Sequence, residues 1–551
     1  MKIKVKNSQS KLMKKKDYII LGLIILIYTI ISFINLGSMK NPQTFYYFQE
    51  NEAITVKLNS IDDVIRIKLY NGDISGEYAL YTSIDNENFE YVKTVNGNGA
   101  FSWNEEKILK RAKYIKIVSI TENANLGEMA FYNNAKDYIK INNISSTKNS
   151  NAKNLYDEEK MVPTEISYLN STYFDEIYFA RTAYNYKEHQ QAYEWTHPPL
   201  GKLIQAIPLV IFNTMSPFFY RLMGNIAGII MVAVIYIFAK SLFNKTFFAT
   251  FAALLMSFDT FHFAQTRMGT IDSFLVLFII LSLYFMYQHI SIKNDKYNLA
   301  LSGLFFGLSG CIKWSGLLIG IPLAILYFID IFKQKKNIIK AIINGIIFFV
   351  IIPILMYTGI YLLFPNNQVT YTNNFKDLIN QTVEMFKYHS RLQADHPFSS
   401  RWYTWPISYK PVWYYTQDFS NNLRGTIAGI GNIIIWWTGI IATIYLLYKV
   451  IKHKNKDSFV LMITILSLWL PYIFIGRVMF LYHYFPVLPF IILAITNLFK
   501  DITTYLKTHI ISIIYLVMAG LFFMLYYPIV SGMPVSNQYI ESLKLLSSWY
   551  F

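Results

Sequence analysis

The stretch Tyr173–Lys202, YFDEIYFARTAYNYKEHQQAYEWTHPPLGK, carries a dense set of polar residues directly before a long series of apolar segments. Its two carboxylates, Asp175 and Glu176, are adjacent, so on a helix their side chains diverge by about 100° and cannot both face one ligand. We therefore expect a division of roles, in which one carboxylate serves a reaction while the other orients it or pairs with a cation. This spacing argues against a metal site formed by the pair.

A His-Pro-Pro sequence closes the same stretch. Proline disfavours a helix before it and suits the first turn of a helix after it. Pro198 and Pro199 therefore predict that His197 lies at the start of a helix and that Lys202 lies in its first turn. The alternative is a surface turn whose charges have no functional role.

Length and composition predict a membrane protein with several spans. Of the 551 residues, 54% are hydrophobic and 17% are aromatic, and the mean hydropathy is +0.29. Apolar runs of about 20 residues recur along the chain, which is the length that a helix needs to cross a bilayer. The one cysteine, Cys311, excludes an intrachain disulfide, so packing must hold the outer segments together.

The distribution of positive charge indicates how the chain is oriented. Met1–Lys16 contains seven lysines and no acidic residue, and Asp17–Leu36 is apolar without a cleavage site. These features predict an uncleaved signal anchor with a cytoplasmic amino terminus, and eleven spans with the carboxyl terminus outside. The predicted inner segments hold 21 lysines against three aspartates. The net charge of +16 therefore reflects membrane topology and does not indicate nucleic-acid binding.

A turn at Lys313–Trp314 separates two short spans, 299–312 and 314–331, and the eighth span covers 427–448. The predicted organisation is an inner tail and anchor helix (1–36), a β-sandwich (45–135), a first outer loop (160–216), spans two to seven (217–364), a second outer loop (365–425), spans eight to eleven (426–530) and an outer tail (531–551).

Residues 52–132 have a different pattern, in which apolar and polar residues alternate. Ile54, Val56 and Leu58 show the period of two, and turn residues separate such runs, which predicts an all-β insert outside the membrane. Segments 78–92, 111–120 and 126–133 resemble strands of a discoidin-type or galactose-binding-like jelly roll. We expect the insert to serve packing or partner contact rather than carbohydrate binding, and to have a separate core, so that removing 45–135 preserves transfer to a short peptide.

Charged residues collect near the predicted outer face. A transporter would instead place buried charges near the bilayer midplane. A carboxylate, several cations and access to lipid at one face are what group transfer from a lipid phosphate to a hydrophilic acceptor requires. Beside Glu176, His197 and Lys202, the candidate substrate-binding residues are Arg267, Asp272, Lys313, His396, Arg401, Arg477 and His483.

Six motifs occur in the order found in protein O-mannosyltransferases, and over residues 173–490 the chain resembles that family. The motifs are FDEIYFARTAY, HPPLGK, QTRMGTIDSFLVLF, GLSGCIKWSGL, HPFSSRWYTWPISYKPVWYY and RVMFLYHYFPVLPF. The resemblance implies a GT-C glycosyltransferase fold, that is, a polytopic α-helical membrane protein, here with an extracytoplasmic β-sandwich insert. It also implies transfer of mannose from a polyprenyl (dolichyl-type) phosphate to Ser or Thr hydroxyls with inversion. The chain departs from the family pattern in carrying the β insert before the Asp-Glu pair and only a short outer segment where eukaryotic members have a MIR domain. The missing MIR domain and the compact size resemble bacterial members.

Carried over from the family, Asp175 is the catalytic base that removes the proton of the acceptor hydroxyl. Arg267, together with Lys313, Arg401 or Arg477, is expected to stabilise the leaving phosphate. Glu176 and His197 are expected to support the site, and Asp272 to pair with Arg267. The expected partners are the lipid-linked donor, an exported Ser/Thr-containing protein and the membrane, with the secretion machinery as a further candidate. The reaction requires no cofactor, while a role for a divalent metal stays undecided.

Three other functions compete with this interpretation. A transferase on the same fold could modify a glycolipid or cell-envelope glycan, and a non-enzymatic transporter or sugar-binding anchor would bind sugar without Asp175. An oligosaccharyltransferase should show a Trp-Trp-Asp segment and a metal-binding acidic pair. Trp436-Trp437-Thr438 inside a predicted span argues against this last function.

Overall fold

The computed structural model describes residues 13–49, 51–133, 137–148, 151–292, 295–335, 337–363 and 375–551. Most of the predicted lysine-rich tail, and residues 365–374 of the predicted second outer loop, lie outside these ranges. The chain divides into two compact units. The helical unit comprises Met1–Ile34, His189–Gln205 and Met223–Phe551, and the β unit comprises Asn35–Glu188 and Ala206–Leu222.

The described chain contains seventeen α-helices and eleven strands. The helices are α1 (Lys15–Phe33), α2 (Glu176–Lys187), α3 (Leu200–Ile211), α4 (Pro217–Phe243), α5 (Thr246–Ser257), α6 (Thr260–Thr266), α7 (Asp272–His289), α8 (Lys296–Ile312), α9 (Gly320–Gln334), α10 (Ile338–Ile346), α11 (Ile352–Leu363), α12 (Phe375–Arg391), α13 (Ile433–His453), α14 (Lys456–Trp469), α15 (Leu488–Leu506), α16 (Ile510–Ser531) and α17 (Asn537–Ser542). The strands are β1 (Tyr46–Tyr47), β2 (Ala53–Asn71), β3 (Glu77–Ser83), β4 (Glu90–Asn96), β5 (Trp103–Ser119), β6 (Asn125–Tyr132), β7 (Tyr138–Ile139), β8 (Ile141–Ser146), β9 (Val412–Phe419), β10 (Leu423–Gly429) and β11 (Val535–Ser536).

Nine helical segments of the described chain are long and apolar enough to cross a bilayer, and the bent pair α5–α6 makes a tenth. The two helices of this pair meet at 60°, because Asp259 starts a new helix by accepting a hydrogen bond from the His262 amide at 2.8 Å. Eleven spans were predicted, and the additional one corresponds to α8, which has only 17 residues. The predicted break at Lys313 is confirmed, since this residue is extended between α8 and a 3₁₀ turn.

The predicted span at 427–448 begins too early. Residues Leu423–Gly429 form β10, which pairs with β9 and β11, and the helix starts only at Ile433. Asn432 caps this helix by accepting a hydrogen bond from the Ile434 amide at 3.1 Å. The apolar residues of the strand had the composition of a span, so hydropathy alone could not locate this boundary.

Helix α1 belongs to the helical unit and is tied to it by polar contacts. The Lys240 Nζ atom lies 3.0 Å from Asp17 Oδ1, and Tyr28 Oη lies 3.1 Å from His262 Nδ1. Both contacts join α1 to spans that follow much later in the chain. The amino-terminal helix is therefore an integral member of this bundle.

The β unit contains an antiparallel sheet with the order β1-β6-β2-β5-β3-β4. Strand β2 pairs with β5 on one side, and on its other side with β8 through its first half and β6 through its second half. The predicted alternation is confirmed, because Ile54, Val56 and Leu58 are fully buried. The sheet extends beyond the predicted limit of residue 135, since β7 and β8 also belong to it. The likeness to a discoidin-type jelly roll stays a prediction.

Two apolar cores hold the β unit together. One lies within the sheet, as expected for a separate domain. The other joins the ends of two strands, through Tyr70, Phe101 and Trp103, to Ala183 and Tyr184 of α2. The insert is therefore less separable than the sequence suggested, because its side chains pack directly against the helix that follows Asp175.

Removing residues 45–135 is now expected to destabilise α2 and abolish peptide transfer, because the second core loses its strand side. This outcome is the opposite of the one that the sequence alone suggested. Limited proteolysis at α2 combined with a transfer assay would measure it. A deletion variant that resists proteolysis and retains transfer would contradict it.

Candidate functional site

Asp175 stands at the amino-terminal end of α2 in the β unit. Phe174 before it has φ of +48°, a left-handed conformation that is costly for a bulky side chain. The Asp175 carbonyl accepts hydrogen bonds from the amides of Tyr178 and Phe179 at 3.0 and 3.1 Å, so the residue is the N-cap of the helix. Its side chain is partly exposed and lies where the helix dipole favours a negative charge.

Glu176 is fully buried and forms a two-pronged ion pair with Arg221. Arg221 donates from Nε to Glu176 Oε1 and from Nη2 to Glu176 Oε2, both at 2.7 Å. The same guanidinium donates to the carbonyls of Leu36, Tyr168 and Ser171 at 2.8–3.0 Å. Glu176 thus has a cation as its partner, as the predicted division of roles requires of one of the two carboxylates, while the role of Asp175 stays a prediction.

Arg221 was not among the residues that sequence reasoning selected. It is the one charged residue in the first two turns of the apolar helix α4. This isolated charge is the sequence feature that could have identified Arg221. A charge in such a helix requires a partner. The partner itself could not be inferred, because 45 residues separate it along the chain.

The HPPLGK segment forms a hydrogen-bonded loop in the helical unit, built around Glu194. Helix α3 begins at Leu200, so His197 precedes it and Lys202 lies in its first turn, as predicted. Lys202 is fully buried and donates from Nζ to Glu194 Oε2 and the Glu194 carbonyl at 2.7 Å, and to the His197 carbonyl at 2.9 Å. His197 Nδ1 lies 3.0 Å from Glu194 Oε1.

The electrostatics of this loop follow from its partners. Burial opposes ionisation of Glu194, but the charge of Lys202 and the hydrogen bonds to His197 and Lys202 outweigh it and hold the pKa of this carboxyl below its usual range. Burial and the neighbouring Lys313 and Lys202 lower the pKa of His197, although Glu194 acts in the opposite direction. His197 is therefore neutral at pH 7, and Glu194, which sequence reasoning missed, is the anchor of the loop.

Replacing Glu194 by Ala is expected to destabilise the protein by about 3 kcal/mol, because it leaves the buried Lys202 ammonium without a counter-charge. The shift in thermal unfolding of the purified protein measures this effect. Glu384→Ala is the matched control, since Glu384 forms an exposed pair with Lys387, and loss of such a pair costs at most about 1 kcal/mol. Equal shifts for the two variants would show that Glu194 has no anchoring role.

Five basic side chains of the helical unit, here called the cation cluster, lie close enough for the charge of one to affect the pKa of another. Arg477 Nη1 lies 3.3 Å from His389 Nδ1, and His389 Nε2 donates to the Thr196 carbonyl at 2.7 Å. The His197 and His389 rings are 5.3 Å apart. The cation cluster consists of His197, Lys313, His389, Arg477 and His483.

Two members of the cation cluster are the permanent charges. Lys313 Nζ lies 2.9 Å from Asp272 Oδ1, so this ammonium is partly neutralised, while Arg477 is bound to a neutral imidazole. Burial, and then the positive charges of the neighbouring residues, lower the pKa of His389 to about 4. His389 was missed from the sequence, because the helix that carries it, α12, was not expected there.

Arg267 occupies a different environment from the predicted one. Its Nη2 donates to the Ile34 carbonyl at 2.6 Å, just beyond the end of α1, and its guanidinium lies 4.7 Å from the centre of the Phe263 ring. Asp272, which was expected to pair with Arg267, forms an ion pair with Lys313. Arg267 is 5% exposed, and these contacts hold the end of α1.

The remaining predicted residues lie around the cation cluster or at the surface. His483 is half-buried, with its ring stacked on Trp405 at 5.9 Å and its Nδ1 3.0 Å from the Phe480 carbonyl. His396 and Arg401 are exposed. His396 packs edge-on against Phe480, with ring centres 5.0 Å apart. Within the described residues, no group of three or more His, Cys, Asp or Glu side chains is arranged to hold a metal ion.

Two protein-family models match most of the helical unit. One, described as dolichyl-phosphate-mannose-protein mannosyltransferase, matches residues 196–357. The other, described as the C-terminal four-span region of protein O-mannosyltransferase, matches residues 374–549. Together they cover more than half of the chain. This chain belongs to the protein O-mannosyltransferase family. The two ranges contain the whole cation cluster, while Asp175 precedes both.

Relatives in this family include two bacterial proteins named polyprenol-phosphate-mannose–protein mannosyltransferase. The one from Corynebacterium glutamicum is 21% identical, over 64% of this chain and 81% of its own length. The one from Mycolicibacterium smegmatis is 22% identical, with the same coverage. The resemblance to the family predicted from the motifs is thereby confirmed.

A solved structure supports the fold of this mannosyltransferase. It is the Saccharomyces cerevisiae protein O-mannosyltransferase complex bound to the sugar donor, and one of its chains aligns with a TM-score of 0.60 and 14% identity. The alignment covers 69% of this chain and 89% of that one. The predicted fold class is confirmed, as a polytopic helical membrane protein of the GT-C type that carries a β-rich insert.

Proposed function

We propose that this chain transfers mannose from a polyprenyl-phosphate-mannose donor to Ser or Thr hydroxyls of exported proteins, with inversion at the anomeric carbon. The observation that carries the proposal is the pair of family matches at residues 196–357 and 374–549, which contain the cation cluster. The names of the bacterial relatives supply the donor class and the protein acceptor. The β unit supplies a carboxylate at a helix start, Asp175, as a general base.

The proposed reaction is a single displacement. Asp175 accepts the proton of the acceptor hydroxyl while that oxygen forms a bond to the anomeric carbon of the sugar. The bond between this carbon and the phosphate oxygen breaks on the opposite face, and polyprenyl phosphate leaves with the electron pair. Glu176 is held by Arg221, so it orients the start of α2 and takes no part in the proton transfer.

Charge on the departing phosphate is stabilised by the cation cluster. Arg477 is the best candidate for this role, because its guanidinium offers a planar set of donors to phosphate oxygens. The described partner of Arg477 is the neutral imidazole of His389. Lys313 is a weaker candidate, since Asp272 shares its charge. Arg267, which the sequence favoured, has a carbonyl partner at the end of α1 that supports a structural role instead.

Replacing Arg477 by Ala is expected to weaken donor binding by about 10- to 100-fold, the effect of one lost charge-assisted contact to phosphate, with little change in the peptide KM. Arg477→Lys should recover part of the affinity. Initial rates at varied donor concentration measure this change. Arg111→Ala, at an exposed arginine of the β unit to which no role in the site is assigned, is the matched control. Unaltered donor affinity in a stable Arg477→Ala protein would transfer the phosphate role to Lys313.

The function itself is tested by incubating purified protein with polyprenyl-phosphate-mannose labelled in the sugar and a Ser/Thr peptide. Label should appear in the peptide, in the anomeric configuration opposite to that of the donor. Label in membrane lipid would favour the glycolipid-modifying alternative. Sugar binding that survives in Asp175→Asn without any transfer by the unaltered protein would favour the transporter or anchor alternative.

Multiple spans fix the protein in a membrane, and the lysine asymmetry supports a cytoplasmic amino terminus with the site on the outer side. Reporter fusions after residues 36 and 551 would test this orientation.

A divalent-metal requirement is tested by assaying transfer after chelation. An interaction with the secretion machinery stays a prediction.

A further inference from the structure

Helix α12 carries two apolar faces, of which one is buried against protein and the other is exposed among the residues that the structure describes. Leu378 and Met385 are buried on the first face. The Tyr361 hydroxyl at the end of α11 lies 3.1 Å from Met385 Sδ, and Trp195, Trp314 and Tyr357 pack against the same small core. This face accounts for the attachment of α12 to the helical unit.

The second face is an exposed apolar stripe, here called the α12 stripe. It is formed by Phe375, Ile379, Val383 and Phe386, which are 61%, 48%, 43% and 63% exposed. Their spacing of four, four and three residues places them on one side of the helix. Single exposed apolar residues are ordinary on protein surfaces, whereas a continuous row of four large ones indicates a binding surface.

Charged residues border the α12 stripe on one side. Lys376 and Lys387 lie next to it on the helix surface, and Asn380, Glu384 and Arg391 continue the polar face. Large apolar residues flanked by lysines, with the rest of the surface polar, are typical of helices that lie in the interface of a bilayer. The lysines can then reach lipid phosphates while their stems cover apolar surface.

The position of α12 in the chain supports the same partner. The span Ile338–Leu362 that precedes it is the most lipid-accessible one described, with 6% of its residues buried against protein, compared with 78% for Leu481–Leu506. Through Tyr361, α12 packs on the end of this span. Helix α12 is therefore attached to the end of a span that has little protein cover, which favours lipid as the partner of the α12 stripe.

We infer that α12 is an interfacial helix whose stripe of Phe375, Ile379, Val383 and Phe386 is embedded in the lipid surface, and that it holds the cation cluster at the depth of lipid-linked phosphates. The second part rests on the proposed function. The link between the two is His389 in the last turn of α12, which contacts both the Thr196 carbonyl and Arg477.

The first test measures embedding directly, in the full-length protein. Cys311 is the only cysteine, so a Cys311→Ser background allows single cysteines at positions 379 and 386, with position 380 on the polar face as the matched control. Spin labels are attached, and the protein is reconstituted in vesicles of phosphatidylcholine and phosphatidylglycerol. Labels at 379 and 386 should be relaxed by oxygen and shielded from a water-soluble nickel complex, and the label at 380 should show the reverse. Equal exposure to the nickel complex at all three positions would overturn the inference.

The second test measures the consequence for the donor. Ile379→Asp combined with Phe386→Asp is expected to raise the KM for a long-chain donor in vesicles at least about tenfold, the effect of losing one to two apolar contacts. The KM for a short-chain donor in detergent should change little. Asn380→Asp adds a charge to the polar face and is the control.

These outcomes separate the inference from the proposed function. If the unaltered protein transfers no mannose, the proposed function fails, while the spin-label result still decides whether α12 is embedded. If the Asp variants affect short-chain and long-chain donors equally, the role of the stripe in donor use is overturned. A thermal unfolding curve for each variant shows whether the fold is retained.

Discussion

Replacing Asp175 by Asn is expected to reduce turnover by about 10² to 10⁴-fold, the usual cost of losing a general base, while the protein stays folded and binds donor. The fold should tolerate the change because Asn and Asp have nearly the same size, and the Asp175 side chain makes no capping hydrogen bond to α2 that the change could remove. The amide keeps the shape of the carboxylate but cannot accept the proton.

This expectation is checked by single-turnover transfer to a peptide at saturating donor, together with a donor-binding measurement. The matched control is Asp418→Asn, which changes an exposed carboxylate paired with Arg424. The control should transfer at the rate of the unaltered protein. Turnover by Asp175→Asn within a few-fold of that rate would refute the assignment of the base.

Replacing Arg221 by Met is expected to have the largest effect on stability. It leaves the Glu176 carboxylate fully buried without its counter-charge, which typically costs about 3–5 kcal/mol of stability. Three backbone carbonyls also lose a donor. We expect a large fall in the unfolding temperature, and loss of transfer because the start of α2 is no longer held.

A double variant distinguishes the ion pair from simple loss of packing. Glu176→Gln combined with Arg221→Met should be less destabilised than Arg221→Met alone, since no unpaired buried charge remains. Recovery should be partial because the backbone carbonyls still lack their donor. Additive losses in the double variant would show that the charge pair is not what stabilises this region.

The sequence predicted features that depend on local patterns. Pro198 and Pro199 fixed the start of α3 and the placement of Lys202 in its first turn, because proline acts on its neighbours directly. Alternation identified the buried positions of β2 in the same way. Hydropathy located the spans, but it misread the apolar strand β10 as part of one.

The sequence did not predict contacts between distant segments. Arg221 and Glu176 meet across 45 residues, and His389 meets Thr196 across 193. Several basic residues could each have paired with Asp272, and proximity along the chain favoured Arg267 over Lys313. The fold reversed that choice, since Lys313 follows the break after α8 and reaches Asp272 at the start of α7.

The second core of the β unit limits how this enzyme can be recombined with its relatives. Since strand ends and α2 bury each other's side chains, a chimera that exchanges only the sheet would join two surfaces that never evolved together. The natural block for exchange is discontinuous and consists of residues 35–188 together with 206–222. Transplanting both segments at once carries Asp175 together with the Glu176–Arg221 ion pair, so the recipient scaffold would receive the proposed base along with the contacts that hold the start of α2.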